Sequence, residues 1–320
     1  MNSYISRITK EKNSKEYEYF TIDNKKIKDI NILNKISKIY IPPAYQNVKI
    51  YLNKNLLATG IDSVGRKQYI YSDNMRKKRE IKKINQLRKL SENLNNLTKK
   101  IKKDLLKKDF KKDKLIALVL KIMDLCNFRG GNKEYERRYG SYGLTTLHKE
   151  HVKIKKKYIE INFTGKKGVN NNCIINNKII QNIIKDIYKI SSKKDSYIFS
   201  IIYKGDNISI NMVDINKYLE SFNITCKDLR TWNANIIFLK NIKNQIIKID
   251  NYDNPKIIKK IIRESINKTA ISLHNTPAVC KNSYILKNLI VNIETKNNII
   301  KKLINNDNIE KILKKFICRN

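Results

Sequence analysis

The sequence predicts an α+β fold: a small β-rich domain over residues 1–76 and a larger, mainly α-helical domain over 77–320 that carries a β-hairpin. Three observations predict it. The N-terminal stretch holds short β-branched and aromatic runs broken by Pro and Gly, with no apolar spacing that would sustain a long helix. From Arg76 onward apolar residues recur at steps of three and four. Farther on, two apolar-alternating runs flank a glycine-bracketed tip, which is how a hairpin reads in sequence.

The elements follow in order. In KIYIPPAYQNVKIYLN, Pro42 and Pro43 have fixed φ and no N–H, which confines them to a turn or a sheet edge. In GIDSVGRKQYIYSD the run Gln68 to Tyr71 is a short strand, and its alternation puts Tyr69 and Tyr71 on one face. Ile81, Ile84, Leu87, Leu90, Leu94, Leu97 and Ile101 then form an amphipathic stripe, one helix or two broken near Ser91–Asn96. LIALVLKIMDLCNF is too short to span a membrane, for which roughly 20 apolar residues are needed, and reads as a buried helix stopped by Gly130-Gly131. Leu144–Leu147 and Val152–Phe163 read as β structure. The tip Thr164 to Gly168 leads into a partner strand over Val169–Ile175, and beyond Ile179 the chain reads as mostly helical.

Composition narrows the function. Lys and Arg number 68 against 29 Asp and Glu, a formal net charge of +39 on 320 residues. Such an excess repels itself unless a polyanion compensates it. AT-rich codons favour Lys, Ile and Asn, but drift alone would also raise Glu. With 41% hydrophobic residues the chain still buries a core, so it is no mere basic tail. The N-terminus has no apolar signal-peptide core. The 5 cysteines are scattered without a CxxC pair, which argues for a reducing compartment and against a disulfide frame or zinc knuckle. GxGxxG and GxxxxGK[ST] are missing, and His148 and His151 lack HExxH spacing. The sequence therefore predicts no nucleotide, no metal and no cofactor, and chemistry on a polyanion would rely on side-chain cations.

Three segments could supply it. Arg129 ends the most buried helix, where it is either a C-cap cation or a group reaching out to a partner. Thr225 and Asp228 form a capping box, so a helix starts near Cys226 with Arg230 in its first turns, either in a structural ion pair or at a site. Thr276-Pro277 marks another N-cap, with Asn275 in the turn before it and Tyr284 about two turns on; by position alone that tyrosine is equally a core residue.

Read together, these segments resemble the poxvirus-like type IB DNA topoisomerases, the compact branch of poxviruses, giant viruses and bacteria. GRKQYIY (65–71) is similar to the signature of that family's small N-terminal domain. FRGGNKEY (128–135) and SYGLTTL (141–147) resemble its R-x-G-N-x-x-Y and S-x-G-x-x-T-L segments. FTGK (163–166) resembles the F-x-G-K hairpin, KDLRTW (227–232) the K-D-x-R-T-W/Y run, and NTPAV with SYI (283–285) the tyrosine segment. The resemblance implies a tyrosine recombinase/topoisomerase IB-like fold that relaxes supercoiled double-stranded DNA as a monomer, without ATP, metal or membrane. It implies Tyr284 as nucleophile forming a 3′-phosphotyrosyl ester, Arg129 and Arg230 as phosphate clamps, and Lys166 as general acid. Asn275 is the expected fourth phosphate ligand; poxvirus members have His at that position, and here His274 stands one residue earlier, where Gly is common. In the N-terminal domain the resemblance implies DNA contacts from Arg66, Lys67, Gln68, Tyr69 and Tyr71, with Tyr135 in the larger domain, although Tyr69 and Tyr71 also suit a packed strand face. Val64 stands where relatives often carry Lys. The implied location is the cytoplasmic viral factory and virion for a viral protein, otherwise cytoplasm or nucleoid, and not secreted. The rival readings are a tyrosine recombinase or integrase, disfavoured by Lys227 where recombinases carry His, and a non-enzymatic basic DNA-binding protein.

Overall fold

The computed structural model describes residues 4–9, 16–52, 54–190, 197–249, 252, 254–296 and 298–319. They fall into two compact units, 1–82 and 83–320.

The first unit is an antiparallel sheet. Its strands are β1 (Ile5–Thr9), β2 (Tyr17–Phe20), β3 (Gln46–Ile50), β4 (Leu56–Ile61) and β5 (Lys67–Tyr71), in the spatial order β2-β1-β3-β4-β5, so β5 is an edge strand. Helix α1 (Ile30–Ser37), capped by the Asp29 carboxylate on the Asn31 and Ile32 amides, supplies Ile36 to a small core with Val48, Ile50 and Ala58. Ile70 packs against that core from β5. The Pro42-Pro43 segment lies in a turn, and the Arg7 guanidinium donates to the Ile41, Pro42 and Tyr45 carbonyls at 3.2, 3.1 and 2.7 Å. They add to the loop's own bond from the Tyr45 amide to the Pro42 carbonyl at 3.1 Å and satisfy acceptors that the prolines, lacking N–H groups, leave over.

Helix α2 (Asp73–Leu105) is continuous, so the stretch around Ser91 ends no helix. Ser91 instead donates its hydroxyl to the Arg88 carbonyl at 2.8 Å, within the helix. Helix α3 (Lys112–Cys126) is the buried one, with Leu115, Ala117, Leu118 and Val119 fully enclosed. It is terminated by Asn127 at φ 53°, ψ 29°, not by the glycines after it. Asn is the non-glycine residue that tolerates this left-handed conformation best, which the reading of Gly130-Gly131 as the stop overlooked. Helix α4 (Lys133–Tyr139) follows. Leu144–Thr146 then forms a 3-10 turn, not a strand, because the Thr146 and Leu147 amides bond back three residues to the Gly143 and Leu144 carbonyls.

Strands β6 (Val152–Ile154), β7 (Ile159–Thr164) and β8 (Asn170–Ile175) form a second antiparallel sheet, with β7 and β8 paired from Ile159↔Ile175 to Thr164↔Asn170. Ile159, Ile161 and Phe163 alternate into the core. Helix α5 (Lys178–Ile190) leads to a hairpin that the sequence reading missed, β9 (Ser200–Tyr203) and β10 (Asp206–Ser209). Its turn is Lys204-Gly205, both at positive φ (51° and 87°), as two-residue hairpin turns require. The rest is helical: α6 (Met212–Glu220), α7 (Cys226–Ile246), α8 (Pro255–Ser272), α9 (Pro277–Ser283), α10 (Lys287–Lys296), α11 (Asn298–Ile304) and α12 (Ile309–Arg319). Among the described residues no helix is long and apolar enough to cross a membrane.

The cysteine reading needs correcting. Cys126, at the end of α3, is bonded to Cys173 on β8 (S–S 2.01 Å, Cα–Cα 5.6 Å). The two are 47 positions apart. Only the packing of α3 beside β8 makes them neighbours, so spacing in the chain carried no trace of the pair.

Candidate active site

Arg129 is aimed by what surrounds its backbone. Phe128 before it is fully buried, with its ring 4.8 Å from Phe163 and 5.2 Å from the His274 ring. The Arg129 carbonyl accepts from the Leu144 amide at 2.9 Å, and the Gly130 carbonyl accepts from the Thr145 amide at 2.7 Å. A Cβ on Gly143 would lie 2.4 Å from the Gly131 Cα and 2.9 Å from the Arg129 carbonyl oxygen. The two glycine-containing motifs are therefore two halves of one backbone contact that only glycine permits.

Arg230 sits one turn into α7, behind the Thr225–Asp228 capping box. It is 4% exposed. Its Nη2 donates to the Leu273 carbonyl and its Nε to the Tyr284 hydroxyl oxygen at 3.3 Å. The turn between α8 and α9 holds the other partners. Arg129 donates through Nη1 to the His274 carbonyl at 3.3 Å and through Nη2 to the Asn275 side-chain oxygen. A guanidinium can only donate, so Asn275 must present its oxygen to Arg129 and keep its Nδ2 free.

His274 holds the left-handed conformation at φ 50°, which explains why glycine suits that position. Its Nε2 lies 3.1 Å from the Cys126 carbonyl. Burial first, then the nearby arginines, lowers its pKa against the opposing pull of the Cys126 carbonyl. The ring is therefore neutral near pH 7 and donates Nε2–H to that carbonyl.

Tyr284 closes α9 and is 9% exposed. Burial would raise its pKa, but the charge and hydrogen bond of Arg230, helped by Arg129, outweigh burial, and the phenol lies below its ordinary value of 10.0. Its backbone is fixed by Asn235, a fully buried α7 residue absent from the sequence-based site. Asn235 Nδ2 donates to the Tyr284 carbonyl at 3.1 Å, and its Oδ1 accepts from the Leu286 amide at 3.0 Å. A polar residue within the apolar stretch of α7 was the signal available for it.

The structure thus brings Tyr284, Arg129, Arg230 and Asn275 together. Two buried donors among them, Arg230 Nη1 and Asn275 Nδ2, have no partner. Lys166 makes no hydrogen bond to these four; it lies in the 3-10 turn between β7 and β8, exposed, its ammonium 5.3 Å over the Tyr135 ring. In the first unit the Tyr69 and Tyr71 rings stack at 6.3 Å, with Lys67 Nζ 5.7 Å from the Tyr69 ring and Arg79 3.8 Å from that of Tyr71. Gln68 lies on the opposite pleat of β5, and Arg66 is held by Asp62. Among the described residues no group of three or more His, Cys, Asp or Glu is placed to hold a metal ion.

The family model for the catalytic core of eukaryotic DNA topoisomerase I matches residues 72–310, and that for the N-terminal domain of bacterial DNA topoisomerase IB matches residues 16–62. DNA topoisomerase 1B of Acanthamoeba polyphaga mimivirus is 32% identical over 286 residues, 87% of this chain and 85% of that protein. The vaccinia virus DNA topoisomerase 1B is 24% identical over 296 residues, covering 87% and 90%. The chain belongs to the type IB DNA topoisomerases, which are isomerases.

Proposed function

We propose that the protein relaxes supercoiled double-stranded DNA by transient cleavage of one strand, with Tyr284 as nucleophile. The observation that carries this reading is the pair of orphaned donors, Arg230 Nη1 and Asn275 Nδ2. A buried donor without a partner costs about 1–3 kcal/mol. A phosphodiester bound against the Tyr284 hydroxyl supplies the missing acceptors as its non-bridging oxygens. Arg129 and Arg230 then hold the same oxygens more strongly as charge grows in the pentacoordinate transition state. The Tyr284 phenol gives up its proton to water, its oxygen bonds to phosphorus and the bond to the 5′-oxygen breaks, leaving a 3′-phosphotyrosyl ester and, once that oxygen is protonated, a free 5′-hydroxyl end. Lys166 delivers the proton to that leaving oxygen after swinging from Tyr135. One ester replaces another, so religation is the reverse step and needs neither ATP nor metal. The first unit supplies duplex contacts through Arg66, Lys67, Gln68, Tyr69 and Tyr71, and Tyr135 adds one from the second. The enzyme works as a monomer, in the cytoplasmic factory and virion if it is a viral protein and otherwise in the cytoplasm or nucleoid.

The test is relaxation of supercoiled plasmid in EDTA without ATP, followed by mapping of the covalent adduct. Relaxation with the adduct on Tyr284 is expected. A Tyr284→Phe protein that still relaxes plasmid would remove the assignment.

A further inference from the structure

One carboxylate in the first unit has more partners than its turn requires. Asp62 opens the connection between β4 and β5, and its Oδ1 accepts from the backbone amides of Val64 at 3.0 Å and Arg66 at 2.9 Å. Those two bonds suffice to hold a tight turn with Gly65 at φ 77°. Its Oδ2 does something else. It accepts from Arg66 Nε at 3.0 Å and from Gln68 Nε2 at 2.8 Å. The Asp62 pKa is pulled down to about 2, foremost by the Arg66 amide and against burial, with the Arg66 side chain, the Val64 amide and Gln68 adding to the pull. The group is therefore ionised and accepts only at any working pH.

That fixes an orientation which is otherwise free. A glutamine amide can present either end, and the two differ only in where O and N lie. A carboxylate can take only the nitrogen. Gln68 must therefore point Nε2 at Asp62, and its Oε1 has no partner among the described residues. Gln68 is partly exposed and sits on the edge strand β5, on the pleat opposite the Tyr69 ring.

We propose that Asp62 is a specificity-positioning residue, which locks the Gln68 amide with its carbonyl oxygen outward and so makes β5 select an amine-bearing base over a keto base at one position. The inference rests on the proposed duplex contacts of the first unit. In the major groove adenine N6 and cytosine N4 donate, whereas guanine O6 and thymine O4 accept. A locked carbonyl pairs with adenine or cytosine on the contacted strand. It meets guanine or thymine acceptor to acceptor. Without the lock the amide would turn over and tolerate both.

Covalent adducts trapped on a randomised duplex library and sequenced test this in the full-length protein. The parent is expected to favour adenine or cytosine about fivefold or more at one position, the scale of a single base-edge contact. Asp62→Asn keeps Oδ1 for the two turn amides but sets an amide donor against Gln68, which turns the glutamine round. It should shift the preference at that position toward guanine or thymine. Gln68→Ala, which leaves the turn untouched, should abolish the preference at the same position alone. An Asp62→Asn profile identical to the parent's, or a Gln68→Ala profile that keeps the preference at that position, would overturn the inference while the proposed function stands. A parent that forms no adduct at all would overturn both.

Discussion

Arg230 donates its Nε to the Tyr284 hydroxyl at 3.3 Å, and both side chains are more than nine-tenths shielded from solvent. A buried cation against a buried phenol favours the phenolate over the phenol. Arg230 Nη1, on the same guanidinium, has no hydrogen-bond partner among the described residues.

That contact predicts a pH dependence. The folded Tyr284 pKa lies below the ordinary 10.0, so between the two values the folded state has released a proton that the unfolded chain still binds. Stability therefore rises with pH through that window. The contribution is fully present above the unfolded value and lost as pH falls through the folded one. Unfolding of the parent and of Tyr284→Phe across a pH series should show the parent gaining stability relative to the variant as pH climbs toward 10. A pH-independent difference would mean that the arginines do not favour the phenolate.

Removing either clamp should separate chemistry from binding. In the proposed mechanism Arg230→Ala or Arg129→Ala deletes donors that strengthen toward the transition state, and loss of one such donor costs about 10²–10³ in rate. Single-turnover cleavage should fall by at least that factor with duplex affinity nearly unchanged. Equal losses in both would reduce the arginines to phosphate anchors.

The turn between α8 and α9 gives a ranked pair. Asn275 has a free Nδ2, whereas the His274 ring is engaged by the Cys126 carbonyl. Asn275→Ala should slow cleavage more than His274→Gly, which also relieves a positive-φ residue. The reverse order would reassign the fourth phosphate ligand to His274.

The glycine contact makes a contrast within one segment. At Gly143 an added Cβ meets the Gly131 and Arg129 backbone, and neither can swing aside. Gly143→Ala should therefore displace Arg129 and abolish cleavage in a protein that keeps its helical circular dichroism. Gly140, at φ 55°, has nothing within 4 Å of an added Cβ. Gly140→Ala should cost only about 1–2 kcal/mol of stability and leave the cleavage rate intact. Equal effects on cleavage would mean that the Gly131–Gly143 approach does not set the arginine.

Much of this site was legible because its signals are local. The Thr225–Asp228 box and Thr276-Pro277 both start helices where the spacing put them, and those starts fix Arg230 and the turn holding Asn275. The unread parts depend on contacts distant in sequence or on side-chain rotation. Asn235 matters only because α9 delivers the Tyr284 carbonyl to it. The β9–β10 hairpin turns on a lysine at positive φ, which no turn motif advertises. Lys166 shows the opposite limit, since a residue on a hairpin tip is identified by motif while its resting place over Tyr135 is set by tertiary packing.

The bond between Cys126 and Cys173 carries the last prediction. It closes a loop across 47 positions, and in the chain-entropy account a loop of that length stabilises by about 4 kcal/mol. It also ties the end of α3, which feeds Phe128 and Arg129, to β8, whose pairing with β7 sets the hairpin that bears Lys166. Reductant, or Cys173→Ser, should lower the melting temperature by about ten degrees. It should also slow cleavage more than it weakens duplex binding, because the spacing between the Arg129 and Lys166 segments is loosened. The check is a melting series with and without reductant, alongside thiol titration of protein prepared without reductant. If all 5 cysteines titrate as free thiols in that protein, or the melting temperature does not move, the cross-link does not support the site.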